Sequence, residues 1–165
     1  MNGKLMYRAV VIVLAVFFAV GLCSCKSSGK NVDSSSQYVS KPEKIVSEIE
    51  KKCSLPQMQQ LNEEQVFTEY GIEKKYVAYY SAIVAADSIS KDEVVIFEAM
   101  DEGEANTIRD RLQEHYDAVL RECEEYLPDE YEVVKKCSVV KDGIFVRLFI
   151  SADADKMNEI YKSYF

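Results

Sequence analysis

Histidine is almost absent from this chain: His115 is the single imidazole among 165 residues. That scarcity leaves little for multi-histidine zinc sites or for histidine-activated nucleophiles. There is no tryptophan, no phosphate-cradling glycine loop and no Gly-x-Ser-x-Gly elbow. Positive charge is also short, with 20 Lys and Arg against 28 Asp and Glu and a net charge of −8 at pH 7. Without a basic stripe to neutralise phosphates, nucleic acid is excluded as the expected partner. Cationic peptides, metal ions and neutral glycans remain compatible with this balance, yet no metal-ligand spacing or cofactor motif is present, so none of either is expected.

What the chain does have is an ordered N-terminal leader. Lys4 and Arg8 precede an apolar block from Ala9 to Leu22, the charged and apolar regions of a secretory signal. Fourteen residues at 1.5 Å each make a helix of about 21 Å, short of the roughly 30 Å hydrocarbon core. The exit, Leu22-Cys23-Ser24-Cys25, resembles the bacterial lipoprotein signal, with an aliphatic residue three places and a small residue one place before the modified cysteine. Cys25 fits with Leu22 and Ser24, whereas Cys23 would place the bulky Leu22 next to the cut. The resemblance implies a diacylglyceryl thioether on Cys25, cleavage after Ser24, and a stable anchor on the outer face of the bacterial cytoplasmic membrane.

Removing residues 1–24 takes Lys4 and Arg8 but no acid, so 20 basic and 28 acidic side chains become 18 and 28 and the net charge moves from −8 to −10. Such a domain is repelled by an anionic lipid surface. Residues 25–40 are Ser-rich without hydrophobic period and read as a flexible tether, about 20 Å end to end for a random coil. Residues 41–165 suit one compact domain. It holds Cys53, Cys123 and Cys137, an odd number. Two readings stay open: one bridge, with Cys123 and Cys137 as the pair to test, or buried unpaired thiols acting as small apolar side chains.

The expected fold is α+β, in the order α-α-β-β-α-β-β-α, with a long central helix packed on a four-stranded antiparallel sheet. Pro42, Ile45, Ile49 and Cys53 set a first helix. Asn62 with Gln65 forms a capping box for a second, which stops at Gly71. Residues 76–84 and 93–100 read as a strand pair. Asp101 and Glu104 open the longest helix, whose stripe Ala105, Ile108, Leu112, Tyr116, Val119 and Cys123 runs to about Tyr126 before Pro128 ends it. Residues 131–140 and 143–150 read as two further strands joined at Asp142-Gly143. In the last strand Ile144, Val146, Leu148 and Ile150 share one face, with Phe145, Arg147 and Phe149 on the other. Ser151 or Asp153 caps a closing helix. Lys91-Asp92 and Lys141-Asp142 recur fifty positions apart, but the side chains between them do not match, and convergence on a common unit explains the recurrence better than duplication.

His115 sits at the margin of the long stripe and reads as a boundary residue satisfied by solvent or a neighbouring carboxylate. The acids Glu124, Glu125, Asp129, Glu130 and Glu132 lack the spaced aspartates and central glycine of a calcium loop and read as a solvated turn. Eleven tyrosines supply the other candidate surface. Tyr76 and Tyr80 share one strand face, and with Tyr126 and Tyr131 they are the candidate binding residues for a peptide or sugar.

Three stretches, Phe67-Thr68-Glu69-Tyr70-Gly71-Ile72, Tyr126-Leu127-Pro128-Asp129-Glu130-Tyr131, and the last hairpin into Ser151-Ala152-Asp153-Ala154-Asp155, resemble a family of Gram-positive lipoproteins, common in clostridia-like bacteria, that share a domain of unknown function. The resemblance implies a surface lipoprotein of unassigned activity and carries over no functional residue. The leading expectation is a noncatalytic binding or assembly module, tethered by the lipid on Cys25, whose partner is an envelope protein or glycan. A cell-envelope enzyme and a small solute-binding lipoprotein are the alternatives.

Overall fold

The computed structural model describes residues 39–165. The signal segment 1–24, the lipidation residue Cys25 and the tether up to residue 38 lie outside the described residues. Helix α1 (Lys41–Lys52) starts on a capping box in which the Ser40 side chain accepts from Glu43 N–H and the Glu43 carboxylate accepts from Ser40 N–H. A short strand β1 (Met58–Gln60) follows. Helix α2 (Glu63–Tyr70) is capped reciprocally by Asn62 and Gln65 and ends at Gly71, whose φ of 64° is the left-handed conformation that glycine adopts without a Cβ penalty.

After a 3-10 turn at Lys74–Tyr76 come β2 (Val77–Ala85) and β3 (Glu93–Ala99). The long helix α3 (Glu102–Tyr126) is opened by Asp101, whose side chain accepts from Glu104 N–H. Pro128 stands at the start of α4 (Pro128–Val134), where its missing N–H costs nothing. Strands β4 (Val139–Asp142) and β5 (Phe145–Ile150) turn at Gly143, φ 57°. The last helix, α5 (Ala154–Lys162), closes the chain. Neither Ser151 nor Asp153 caps it in the expected way. Ser151 Oγ accepts from Asp153 N–H at 3.2 Å, and the Asp153 carboxylate turns to Ser54 N–H at 2.8 Å.

The sheet is five-stranded, in the order β1-β2-β3-β5-β4, with every neighbouring pair antiparallel. The four-stranded sheet and the α-α-β-β-α-β-β-α order expected from the sequence are therefore wrong, for two reasons. Met58–Gln60 is a strand because its flanks dock onto β2, with Leu61 N–H donating to Ala82 C=O at 2.9 Å and Ala86 N–H to Gln57 C=O at 2.8 Å. Residues 128–134 are helical where the aromatic and β-branched run from Tyr131 favours a strand. Tertiary contact overrides that propensity: Val134 is fully buried and its carbonyl accepts from the Tyr116 hydroxyl at 3.1 Å.

Both faces of the sheet are covered. Val95, Phe97 and Ala99 of β3 with Val146, Leu148 and Ile150 of β5 pack under Ala105, Ile108, Leu112 and Tyr116 of α3, joined by α2 and α4. Val94, Ile96 and Phe149 turn to the opposite face, under Ile45, Val46 and Ile49 of α1 and Met157, Ile160 and Tyr161 of α5. Each fully buried aliphatic side chain contributes about 1.5–3 kcal/mol. Arg147 lies on the α1/α5 side, donating to Asn158 Oδ1 at 3.0 Å and to Asp142, with its guanidinium 3.9 Å from the Tyr161 ring centre.

The β1 edge is incomplete. β2 has nine residues, but β1 pairs only with Ile83–Ala85, and Leu61 adds a bond to Ala82. Among the described residues the pairing of β1 with β2 goes no further.

Candidate functional site

Strand parity puts Glu93 on the same face as Val95 and Phe97, against α3. His115 projects from α3 to meet it, with Nε2 2.9 Å from Glu93 Oε2 and side chains only 9% and 7% exposed. The other ring nitrogen, Nδ1, faces Glu69 Oε1 of α2 at 3.8 Å. Tyr70 packs edge-on against the imidazole, ring centres 4.8 Å apart. One histidine thus joins three elements around a buried carboxylate. Burial alone would lower the imidazole pKa, but the Glu93 hydrogen bond and charge, with Glu69 adding, outweigh it and raise the pKa above its ordinary value. Burial and then the Glu93 charge push the Tyr70 phenol well above its usual range.

Beside this cluster is a pocket of about 170 Å³ that includes Glu69, Ser90, Lys91, Asp92 and Glu122 with the pair itself. Its rim is tied down: Lys91 Nζ pairs with Glu122 at 2.9 Å, Lys91 N–H donates to Glu130 at 3.1 Å, and the Ser90 hydroxyl donates to Asp92 at 2.7 Å. Serine, histidine and glutamate share one pocket, but they do not form a relay. Both imidazole nitrogens face carboxylates, leaving none to take a proton from Ser90.

The expectation for His115 named a neighbouring carboxylate without identifying it; the partners are Glu93 and Glu69. Glu93 was readable in principle, since an acid on the inward face of an otherwise apolar strand demands a buried partner. Of the acids at the helix exit, Glu130 holds the Lys91 backbone and Glu132 pairs with Lys135 at 2.5 Å. Among the described residues no group of three or more His, Cys, Asp or Glu side chains is placed to hold a metal ion. Cys53, Cys123 and Cys137 are free thiols, Cys123 and Cys137 lying in the same core.

The four candidate tyrosines fall at two ends of the molecule. Tyr76 accepts the Met100 N–H just before α3, and Tyr80 stacks on Phe97 at 6.0 Å; both are half-buried. Tyr126 is 71% exposed at the far end of α3, a helix of 25 residues and so about 37 Å long. Tyr131, on α4, has the Lys135 ammonium 5.2 Å from its ring centre.

Tyr80 also separates two pockets at the incomplete edge of β2. One, of about 420 Å³, lies on the α1 side and is lined by Glu43, Val46, Glu50, Gln60 and Ser81 among others. The second, of about 180 Å³, lies on the α2 side between Glu63, Val66, Ile72, Lys74 and Val77.

A family profile described as "Domain of unknown function (DUF4358)" matches residues 51–151. No curated protein matches the chain, and no solved structure matches it.

Proposed function

The chain belongs to the DUF4358 family, and we propose that it is a lipid-anchored extracytoplasmic lipoprotein of the Gram-positive kind whose folded domain binds a partner without turning over a substrate. The anchor rests on the leader residues: Lys4 and Arg8, the apolar block, and Cys25 with Leu22 and Ser24 at the places the lipoprotein signal requires. The noncatalytic reading is carried by one observation: the only imidazole in the chain is held between Glu93 and Glu69, with no ring nitrogen directed at a nucleophile. An imidazole with Nε2 hydrogen-bonded to Glu93 and Nδ1 3.8 Å from a second carboxylate is poorly placed to exchange protons with a substrate.

Metabolic labelling with palmitate tests the anchor. The full chain expressed in a Gram-positive host is expected to take up label, and Cys25→Ala to lose it while Cys23→Ala keeps it. Undiminished label in Cys25→Ala would remove the anchor. Crosslinking in living cells tests the module: recovery of nothing but lipid and the protein itself would remove its main support.

A further inference from the structure

Charge is sorted across the sheet. The helices of one layer, α1 and α5, carry six lysines against five acids, whereas α2, α3 and α4 of the other layer carry three arginines and one histidine against fourteen acids. Nearly all of the net negative charge therefore lies on the side of the sheet away from α1. Helix α1 sorts its own charges a second time. Residues seven apart return to one side of a helix after two turns. Glu43 and Glu50 line one groove beside it; Lys44 and Lys51 line another, of about 470 Å³, together with Lys52, Tyr164 and Val39. The acid in this second groove, Glu48, already holds two partners, accepting from Lys52 at 2.5 Å and from the Tyr164 hydroxyl at 2.5 Å. Lys44 and Lys51 are exposed, and among the described residues Lys52 with Glu48 is the one ion pair on α1.

We propose that this lysine-lined groove is the surface that the domain turns toward an anionic lipid bilayer. Two observations select that partner. The chain arrives at the groove itself, since Val39 lines it, and Cys25 stands fourteen residues earlier, a length that spans about 20 Å as a coil. A bilayer holding a lipid on Cys25 is thus within reach of α1. The second observation is the sign of the charge. A net charge of −10 pushes the domain as a whole off an anionic surface, and the polarity across the sheet decides which side faces it. With α1 toward the lipid, Lys44, Lys51 and Lys52 come within a Debye length, about 8–10 Å, of the headgroups, while the fourteen acids of the other layer stand behind the sheet. The reverse orientation would press those acids against the same surface. The contact is electrostatic, weak and sensitive to salt; it sets orientation, leaving the α2, α3 and α4 layer outward.

This inference rests on the lipid-anchored reading, and palmitate labelling tests that reading apart from it. The full chain, expressed in a Gram-positive host, is reconstituted into vesicles of phosphatidylcholine alone or with an equal share of phosphatidylglycerol. A brief pulse of an amine-acetylating reagent is then mapped by peptide mass. Lys44, Lys51 and Lys52 are expected to react about threefold to tenfold more slowly on the anionic vesicles, while Lys135 and Lys136, which follow α4 in the acidic layer, change less than about twofold. In about 1 M salt, where the Debye length is about 3 Å, the difference should vanish. The double reversal Lys44→Glu with Lys51→Glu should abolish the protection of Lys52 at an unchanged thermal midpoint; if that variant does not fold, the wild-type comparison of the two vesicles decides alone. Equal rates on both vesicles, or equal slowing at Lys135 and Lys136, would overturn the proposal. So would the same protection on neutral vesicles from dissolved inorganic phosphate, which would mark a site for a free anion. If palmitate labelling still depends on Cys25 in any of these cases, the anchor stands and only the orientation is lost; a wild-type chain that takes up no palmitate removes both.

Discussion

Replacing Glu93 with Gln isolates the charge of the buried pair while keeping its shape. The wild-type imidazole has a folded-state pKa above its unfolded value. Between those two values the native state binds more protons than the unfolded chain, so unfolding free energy falls as pH rises. The stabilisation is complete below the unfolded pKa of about 6.5 and disappears as pH passes the folded one. Breaking a buried pair by removing one partner costs roughly 3–5 kcal/mol, and glutamine still offers His115 an acceptor, so about 2–3 kcal/mol is expected near pH 6 and less once pH has passed the folded-state value. With no tryptophan in the chain, urea unfolding is followed by far-UV circular dichroism from pH 5.5 to 8.5. Wild type should lose stability across this window and Glu93→Gln should be flatter, the curves converging at high pH. Parallel curves, or wild-type stability that rises with pH, would refute the assignment of the raised pKa to Glu93.

Two further outcomes follow from local geometry. Gly71→Ala places a Cβ no closer than 3.8 Å to another heavy atom, the Cδ of Arg111, at a φ of +64°, so its cost is conformational, about 1–2 kcal/mol, and a midpoint unchanged in urea would show that the turn relaxes. Iodoacetamide mapped by peptide mass should reach half-buried Cys53 before Cys123 and Cys137, which are 0% and 7% exposed; equal rates for all three in native buffer would contradict the core described above.

Elements with strong local signals were legible before any coordinates. The Asn62 and Gln65 box, the Gly71 stop, the long stripe of α3 and the two-faced pattern of the last strand depend on neighbours in sequence, and the structure places them as read. The errors fall where the signal is three-dimensional. Met58-Gln59-Gln60 has no apolar alternation of its own and becomes a strand only because β2 offers it a ladder. The seven-residue α4 is too short to show helical periodicity, and its β-branched residues point to a strand until Tyr116 and the core fix Val134. The buried pair was hidden for a related reason. His115 lies 22 residues from Glu93, and only the packing of α3 across β3 brings them together.

The buried pair and the β1 edge of the sheet pose different problems for the fold. Around His115 the side chains turn to one another, with the imidazole and Glu93 9% and 7% exposed; the pair ties α3 to β3, while Glu93 Oε1 and the Tyr70 hydroxyl are buried there without a hydrogen-bond partner. An unpaired edge is a hazard when it is long and flat, because it recruits copies of itself. Among the described residues β1 covers the edge of β2 as far as Leu61, bonded to Ala82, and beyond it the register shift between Val77 and Tyr79 marks a bulge that twists the strand away.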